Sequence, residues 1–171
     1  MKKIIKKPIK GICRSFKDSR GLSIDFQNII NDFKTYTGED INHTFYSFSK
    51  FKGTARGLHY QKYPNQQTKM ILILSGSIID YCCNFFEQSN VVSGLQSNNM
   101  KTGDWIIIPE NFLHGFITLS ENTNILYLMS KRFKAEDYFI ASLQKVFKNF
   151  DLPNIEVISK QDKEGKDLLV N

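Results

Sequence analysis

The chain holds only three histidines, His43, His59 and His114. Two of them sit in company that suggests chemistry. His59 closes the segment GTARGLH, where Gly53 and Gly57 bracket Arg56, and His114 follows Pro109 in IPENFLHGF. Both lie at the border of a strand-like run, the place from which a β-scaffold presents side chains into its mouth. An imidazole with an ordinary pKa of about 6.5 can accept a proton at neutral pH. Other chemistries lack their residues. After His59 come Tyr60 and Gln61, so an HxH pair is missing, and the scattered cysteines do not complete a ligand set. No metal is expected, and no cofactor. There is no GxSxG for a nucleophile and no GxGxxG or GxxxxGK[ST] loop for a nucleotide cofactor.

The elements that must position these side chains are read from texture. At 171 residues, 41% apolar and 23% charged, the chain is expected to form one domain spanning 1–171. Between about 43 and 130, β-branched and aromatic runs such as MILIL, SIIDYCCNFF, WIIIP and ILYLMS alternate with Gly, Asn, Asp and Pro. That rhythm predicts an all-β sandwich or barrel. The segment LSGSI predicts a tight hairpin around Ser75 and Gly76. Phe26, Ile29, Ile30 and Phe33 predict a helix over 25–36. Ile140, Leu143, Val146 or Phe147, and Phe150 predict a second over 135–150, and the polar tail from 159 is expected to be irregular. Cys82 and Cys83 are adjacent on a strand, so they point to opposite faces and at least one belongs to the core.

The formal charge is +6, from 23 Lys+Arg against 17 Asp+Glu. In the first ten residues Lys2, Lys3, Lys6, Lys7 and Lys10 interleave with Ile4, Ile5 and Ile9. With no nucleic-acid motif beside it, that run reads as a solvated strand edge, where lysines discourage aggregation. No nucleic-acid partner is expected. No apolar run approaches the roughly 18 residues of a membrane span, so no membrane insertion is expected. MKKIIKKPIK lacks a secretory h-region, and three cysteines without CxxC spacing suit a reducing cytoplasm.

RGLHYQ, a lysine ten residues beyond its histidine, IPENFLHGF and a tyrosine thirteen residues after His114 form a series. With FKDSRG and ISKQD, it resembles the dTDP-4-dehydrorhamnose 3,5-epimerase family over about residues 15–165. The resemblance implies a metal-independent cupin-type jelly roll, or double-stranded β-helix, with a few short helices. It implies epimerisation at C3, C5 or both of a nucleotide-diphosphate-linked 4-keto-6-deoxy sugar, without a cofactor, in a homodimer. Carried over by residue, His59 is the base, Asp162 its partner, Lys69 the cation beside the keto oxygen and Tyr127 the acid. Arg56, His114 and Gln61 fall among substrate-lining positions, and Arg20 would reach a neighbouring subunit's site. Phe133 stands where the family has a second tyrosine that helps hold substrate. Asp25 replaces a glutamate and Ser23 an aromatic residue in the base-reading region, and Tyr46 and Leu72 replace an asparagine and an arginine. The nucleotide and sugar therefore stay open. So do two alternatives on the same fold, a nucleotide-sugar 3,4-ketoisomerase and a catalytically silent nucleotide-sugar-binding cupin.

Overall fold

The structure is a computed structural model that describes residue 3 and residues 5–171. In chain order it forms β1 (Ile9–Ile12), β2 (Ser15–Asp18), β3 (Gly21–Ile24), α1 (Phe26–Thr37), β4 (His43–Ser49), β5 (Thr54–Gln61), β6 (Lys69–Ser75) and β7 (Ser77–Phe86). There follow β8 (Val91–Lys101), β9 (Asp104–Ile108), β10 (Phe112–Thr118), β11 (Thr123–Met129), a 3-10 turn (Ala135–Asp137) and β12 (Tyr138–Ile140). Last come α2 (Leu143–Val146), β13 (Val157–Ile158), α3 (Lys160–Lys163) and β14 (Leu169–Val170).

Two sheets face each other. One has five strands in the order β1-β9-β6-β11-β4, and the other runs β12-β5-β10-β7-β8-β14, with β13 also on β5. From β4 to β11 the chain keeps crossing between them, the winding of a double-stranded β-helix and of the expected all-β jelly roll. The crossing overturns the hairpin expected at Ser75 and Gly76. β6 pairs with β9 and β11 while β7 pairs with β8 and β10, so Gly76 marks a change of sheet. Gly76 has φ +89, and a Cβ there would stand 2.5 Å from Thr123 Oγ1. Two apolar runs around a glycine specify two strands and a turn, but not that the strands pair.

Between the sheets lies a core of Ile71, Ile73, Ile78, Cys82, Ile106, Ile108, Phe112, Phe116 and Ile125. A second core backs the seven-stranded sheet, where Cys83, Tyr81 and Phe85 meet Phe139, Leu143 and Phe147. Cys82 and Cys83 thus point opposite ways and both are buried, because β7 is covered on both faces. A third cluster seats Ile29 and Phe33 of α1 on Met70, Leu72, Trp105 and Ile107. Asp25 caps α1, accepting from the Gln27 N–H, and Gly38 ends it at φ +68. Phe26 and Ile30, expected on the buried face, remain 43% exposed.

The helix expected over 135–150 is a correction. Only Leu143–Val146 is helical; Tyr138–Ile140 instead form β12 against the open edge of β5. Backbone groups of β5 need partners there, and the Leu58–Ala141 pair exchanges both hydrogen bonds, at 2.8 and 3.0 Å. Helical spacing in this stretch reports burial against the back of the sheet. The tail is likewise ordered, with α3 capped by Ser159 and β14 parallel to β8. Lys2 and Ile4 of the lysine–isoleucine run lie outside the described residues. Lys10 is an exposed residue of β1, an edge strand of its sheet.

Candidate active site

At one end of the inter-sheet core, side chains give way to a cavity of about 530 Å³. All three histidines line it, with Lys69, Arg56 and Tyr127. His59 and Arg56 come from β5 and His114 from β10, while Lys69 and Tyr127 project from β6 and β11 of the opposite sheet.

Three residues apart on one strand, Arg56 and His59 should face opposite ways. A bulge brings them to the same side. His59 pairs with His114 and Arg56 with Phe116, so the three-residue step on β5 faces a two-residue step on β10. The irregularity requires glycine on both strands. Gly57 has φ +104, a Cβ on it would lie 2.6 Å from Gly115 Cα, and a Cβ on Gly115 would lie 2.5 Å from the Arg56 carbonyl oxygen.

His59 Nε2 stands 2.8 Å from Asp162 Oδ1. The other carboxylate oxygen accepts from the Gly57 N–H at 3.2 Å, and the Ser159 hydroxyl accepts from the Asp162 N–H. Asp162 is only 6% exposed. Burial raises its pKa, but hydrogen bonds from His59 and the Gly57 N–H outweigh that and hold it below the usual value. An ionised carboxylate only accepts, so His59 carries its proton on Nε2 and keeps Nδ1 as its basic nitrogen. Burial lowers the His59 pKa, with Asp162 opposing, so the ring is neutral at pH 7. Burial alone lowers Lys69 to about 8. Its Nζ reaches the His59 carbonyl oxygen at 3.4 Å, and no described carboxylate pairs with it. Tyr127 is held protonated, its pKa raised chiefly by burial. Its ring lies 5.9 Å from Phe45 and 6.4 Å from His114.

His114 has its own carboxylate, Asp80, whose Oδ2 is 2.5 Å from His114 Nε2 in a fully enclosed pair. Asp80 was not singled out in the sequence, although a lone acid within IIDYCC announces a buried charge that needs a partner. His43, Phe45 and Tyr138 also line the cavity and had been assigned no part in it. Tyr138 was hidden because its segment reads as helix.

The remaining expected residues divide. Gln61 is a wall residue whose amide is engaged elsewhere. It donates to the Arg132 carbonyl at 3.1 Å and accepts from the Lys134 N–H at 2.7 Å, holding the loop that carries Phe133 to the cavity mouth. Arg56 bonds only weakly, to Ser49 Oγ at 3.4 Å and the Phe48 carbonyl at 3.3 Å, and can turn toward a ligand. Arg20 and Asp25 do not line this cavity. Arg20 sits on the β2–β3 turn, 89% exposed and paired with Asp18 at 2.6 Å, while Asp25 caps α1. Tyr46 bonds Asn124, and Leu72 is buried under α1 on the face of β6 away from the cavity. Among the described residues no three His, Cys, Asp or Glu side chains converge as metal ligands, and no helix is long and apolar enough to cross a membrane.

A double-stranded β-helix enclosing a histidine–carboxylate pair, a half-buried lysine and a phenol defines a cupin-type protein with acid–base side chains in its cavity. The family model for dTDP-4-dehydrorhamnose 3,5-epimerase matches residues 5–169, and the chain belongs to that family. The dTDP-4-dehydrorhamnose 3,5-epimerase of Mycobacterium tuberculosis is 29% identical over 123 residues, 70% of this chain and 60% of the relative. That of Salmonella typhimurium is 30% identical over 130 residues, 74% of this chain and 67% of the relative. The chain thus spans about 60% of the Mycobacterium protein's length. Among solved structures, the Bacillus anthracis epimerase with TDP and PPi bound superposes with a TM-score of 0.80 at 22% identity, covering 98% of this chain and 100% of that one. A 3'-monoepimerase from Streptomyces bikiniensis, in complex with dTDP-quinovose, gives 0.75 at 16% identity over 96% and 86%. At these identities the structural likenesses establish the fold.

Proposed function

We propose that this protein epimerises a nucleotide-diphosphate-linked 4-keto-6-deoxy sugar at C3, C5 or both. The observation that carries the proposal is the placement of base and acid on facing walls. His59 belongs to one sheet and Tyr127 to the other, with Lys69 in the same cavity. Inverting a carbon beside a ketone requires a proton to leave one face and another to arrive on the opposite face. His59 Nδ1 takes the proton, the C–H electron pair moves into the C–C bond, and the carbonyl electrons settle on the keto oxygen. The Lys69 ammonium, still mostly charged at pH 7, stabilises that enolate. Tyr127 delivers its hydroxyl proton from across the cavity, and the carbonyl re-forms. Solvent then reprotonates Tyr127 and relieves His59. Asp162 stabilises the imidazolium in between. Arg56 at the cavity rim suits the diphosphate through forked, charge-assisted hydrogen bonds. The names of its relatives make dTDP the first nucleotide to test.

The protein is also proposed to act as a homodimer, because Arg20, paired with Asp18, stands exposed on its hairpin outside the cavity of its own chain and within reach of a neighbour's. Sedimentation of a fully active monomer would refute this. The activity itself is tested by incubation with dTDP- and GDP-linked 4-keto-6-deoxy sugars in D2O, following each carbon by NMR. Deuterium at C3 or C5 with inversion is expected; migration of the carbonyl to C3 would identify a ketoisomerase instead. His59→Ala should lose about 10²- to 10⁴-fold in exchange at every position.

A further inference from the structure

Tyr138 has no part in the scheme above, yet it stands beside the base. Its ring centroid is 5.3 Å from that of His59 and 5.2 Å from that of Phe133, edge-on to the latter. β12 fixes this placement, since Ile140 pairs with His59 and Tyr138 with Gln61. Among the described residues nothing hydrogen-bonds the Tyr138 hydroxyl. Tyr60, another phenol of the cavity wall, differs in donating to Glu87 at 3.2 Å. Burial, and then the charge of Asp162, push the Tyr138 pKa up, so its hydroxyl stays a donor wherever His59 is neutral. A half-buried phenol ordinarily finds a partner for its O–H. Here the open space beside it is the cavity, and Phe133 offers that space only an aromatic ring.

Building on the epimerase proposal, we propose that Tyr138 contacts substrate, donating a hydrogen bond to a sugar oxygen next to the carbon that His59 deprotonates. It thereby decides which carbon is presented to the base. The bond adds a fixed point on the His59 wall, opposite Tyr127, so that the ring cannot turn to bring the other carbon flanking the ketone between the two groups.

Tyr138→Phe keeps the ring against His59 and Phe133 and removes only the hydroxyl. With dTDP-4-keto-6-deoxyglucose as the probe, KM should rise about 3- to 10-fold, the range set by one neutral hydrogen bond. Deuterium should also spread to a carbon that the parent protein labels slowly, while the melting temperature stays put. An unchanged KM with an unchanged labelling pattern overturns the inference. So does a fall in kcat alone, which would mean that Tyr138 acts through His59. If the parent protein exchanges no deuterium, the epimerase proposal fails by itself. Calorimetric affinity for the same nucleotide sugar then decides: weaker binding by Tyr138→Phe supports the contact, and equal binding, or none by either protein, overturns it.

Discussion

Replacing Asp162 by asparagine removes one charge and almost no volume from the side chain that holds His59. The bond it breaks is a charge-assisted one of 2.8 Å, made by a carboxylate only 6% exposed. Such bonds contribute roughly 1.5–3 kcal/mol, and the benefit grows as His59 becomes an imidazolium during proton abstraction. Taking about 2 kcal/mol, kcat/KM should fall on the order of 30-fold. The pH profile carries a second, independent sign. In the parent protein burial lowers the His59 pKa and Asp162 opposes it. With the carboxylate gone, burial acts unopposed and the pKa falls further. The acid limb of kcat/KM should therefore move to lower pH while the plateau drops. The assay is the initial rate of deuterium wash-in between pH 5 and 8, with far-ultraviolet circular dichroism to verify the fold. A folded Asp162→Asn variant with a plateau within twofold of the parent, or an acid limb displaced upward, would refute the coupling of these two residues.

Tyr127→Phe should still wash deuterium into substrate, because His59 and Lys69 remain, but should invert slowly or not at all; equal loss of exchange and inversion would remove Tyr127 as the opposite-face acid. Lys69→Met should lower kcat/KM about 10²- to 10³-fold, and the parent profile should show an alkaline limb near the Lys69 pKa of about 8. The Lys69 pKa is depressed on folding, so its charge costs stability at pH below 8, and the cost fades as pH rises. Lys69→Met should accordingly melt above the parent at pH 7 and lose that advantage toward pH 10. Gly115→Ala would drive a methyl into the Arg56 carbonyl at the β5–β10 bulge, costing about 2 kcal/mol in urea unfolding. His59 has a lowered pKa, so stability is undiminished by its protonation above about pH 6.5 and declines as pH falls through its folded value, whereas the stabilisation from the lowered Asp162 pKa is lost only below about pH 3.8. Melting temperature should drop between pH 6.5 and 4 more steeply in the parent than in a His59→Gln variant.

What could be read from the sequence was whatever a local pattern encodes. Alternating β-branched runs gave away the strands of an all-β fold, and the motifs around His59 and His114 named two cavity residues. Partnership was not encoded locally. Gly76 looked like a hairpin because a crossover between sheets uses the same glycine as a turn. The stretch around Tyr138 looked helical because residues covering the back of a sheet can bury every third or fourth side chain without forming a helix. Nor does alternation say that Arg56 and His59 share a face, since that follows from a bulge which only the pairing of β5 with β10 reveals. Asp162 reaches His59 across 103 positions of chain, a contact reached beforehand through family resemblance and not through spacing. Asp80 is the exception, since a lone acid amid the apolar run IIDYCC is a local signal.

Because the cavity draws its walls from both sheets, a bound nucleotide sugar would clasp them together. Pulling the sheets apart in unfolding would expose the Ile71–Ile125 core and dismantle the site at the same time, so a ligand seated between the walls opposes unfolding. Occupancy then adds to stability by mass action, about 2.7 kcal/mol at a hundredfold excess over Kd. If the proposed activity holds, substrate supply would set not only the rate of turnover but also the fraction of copies open to proteolysis.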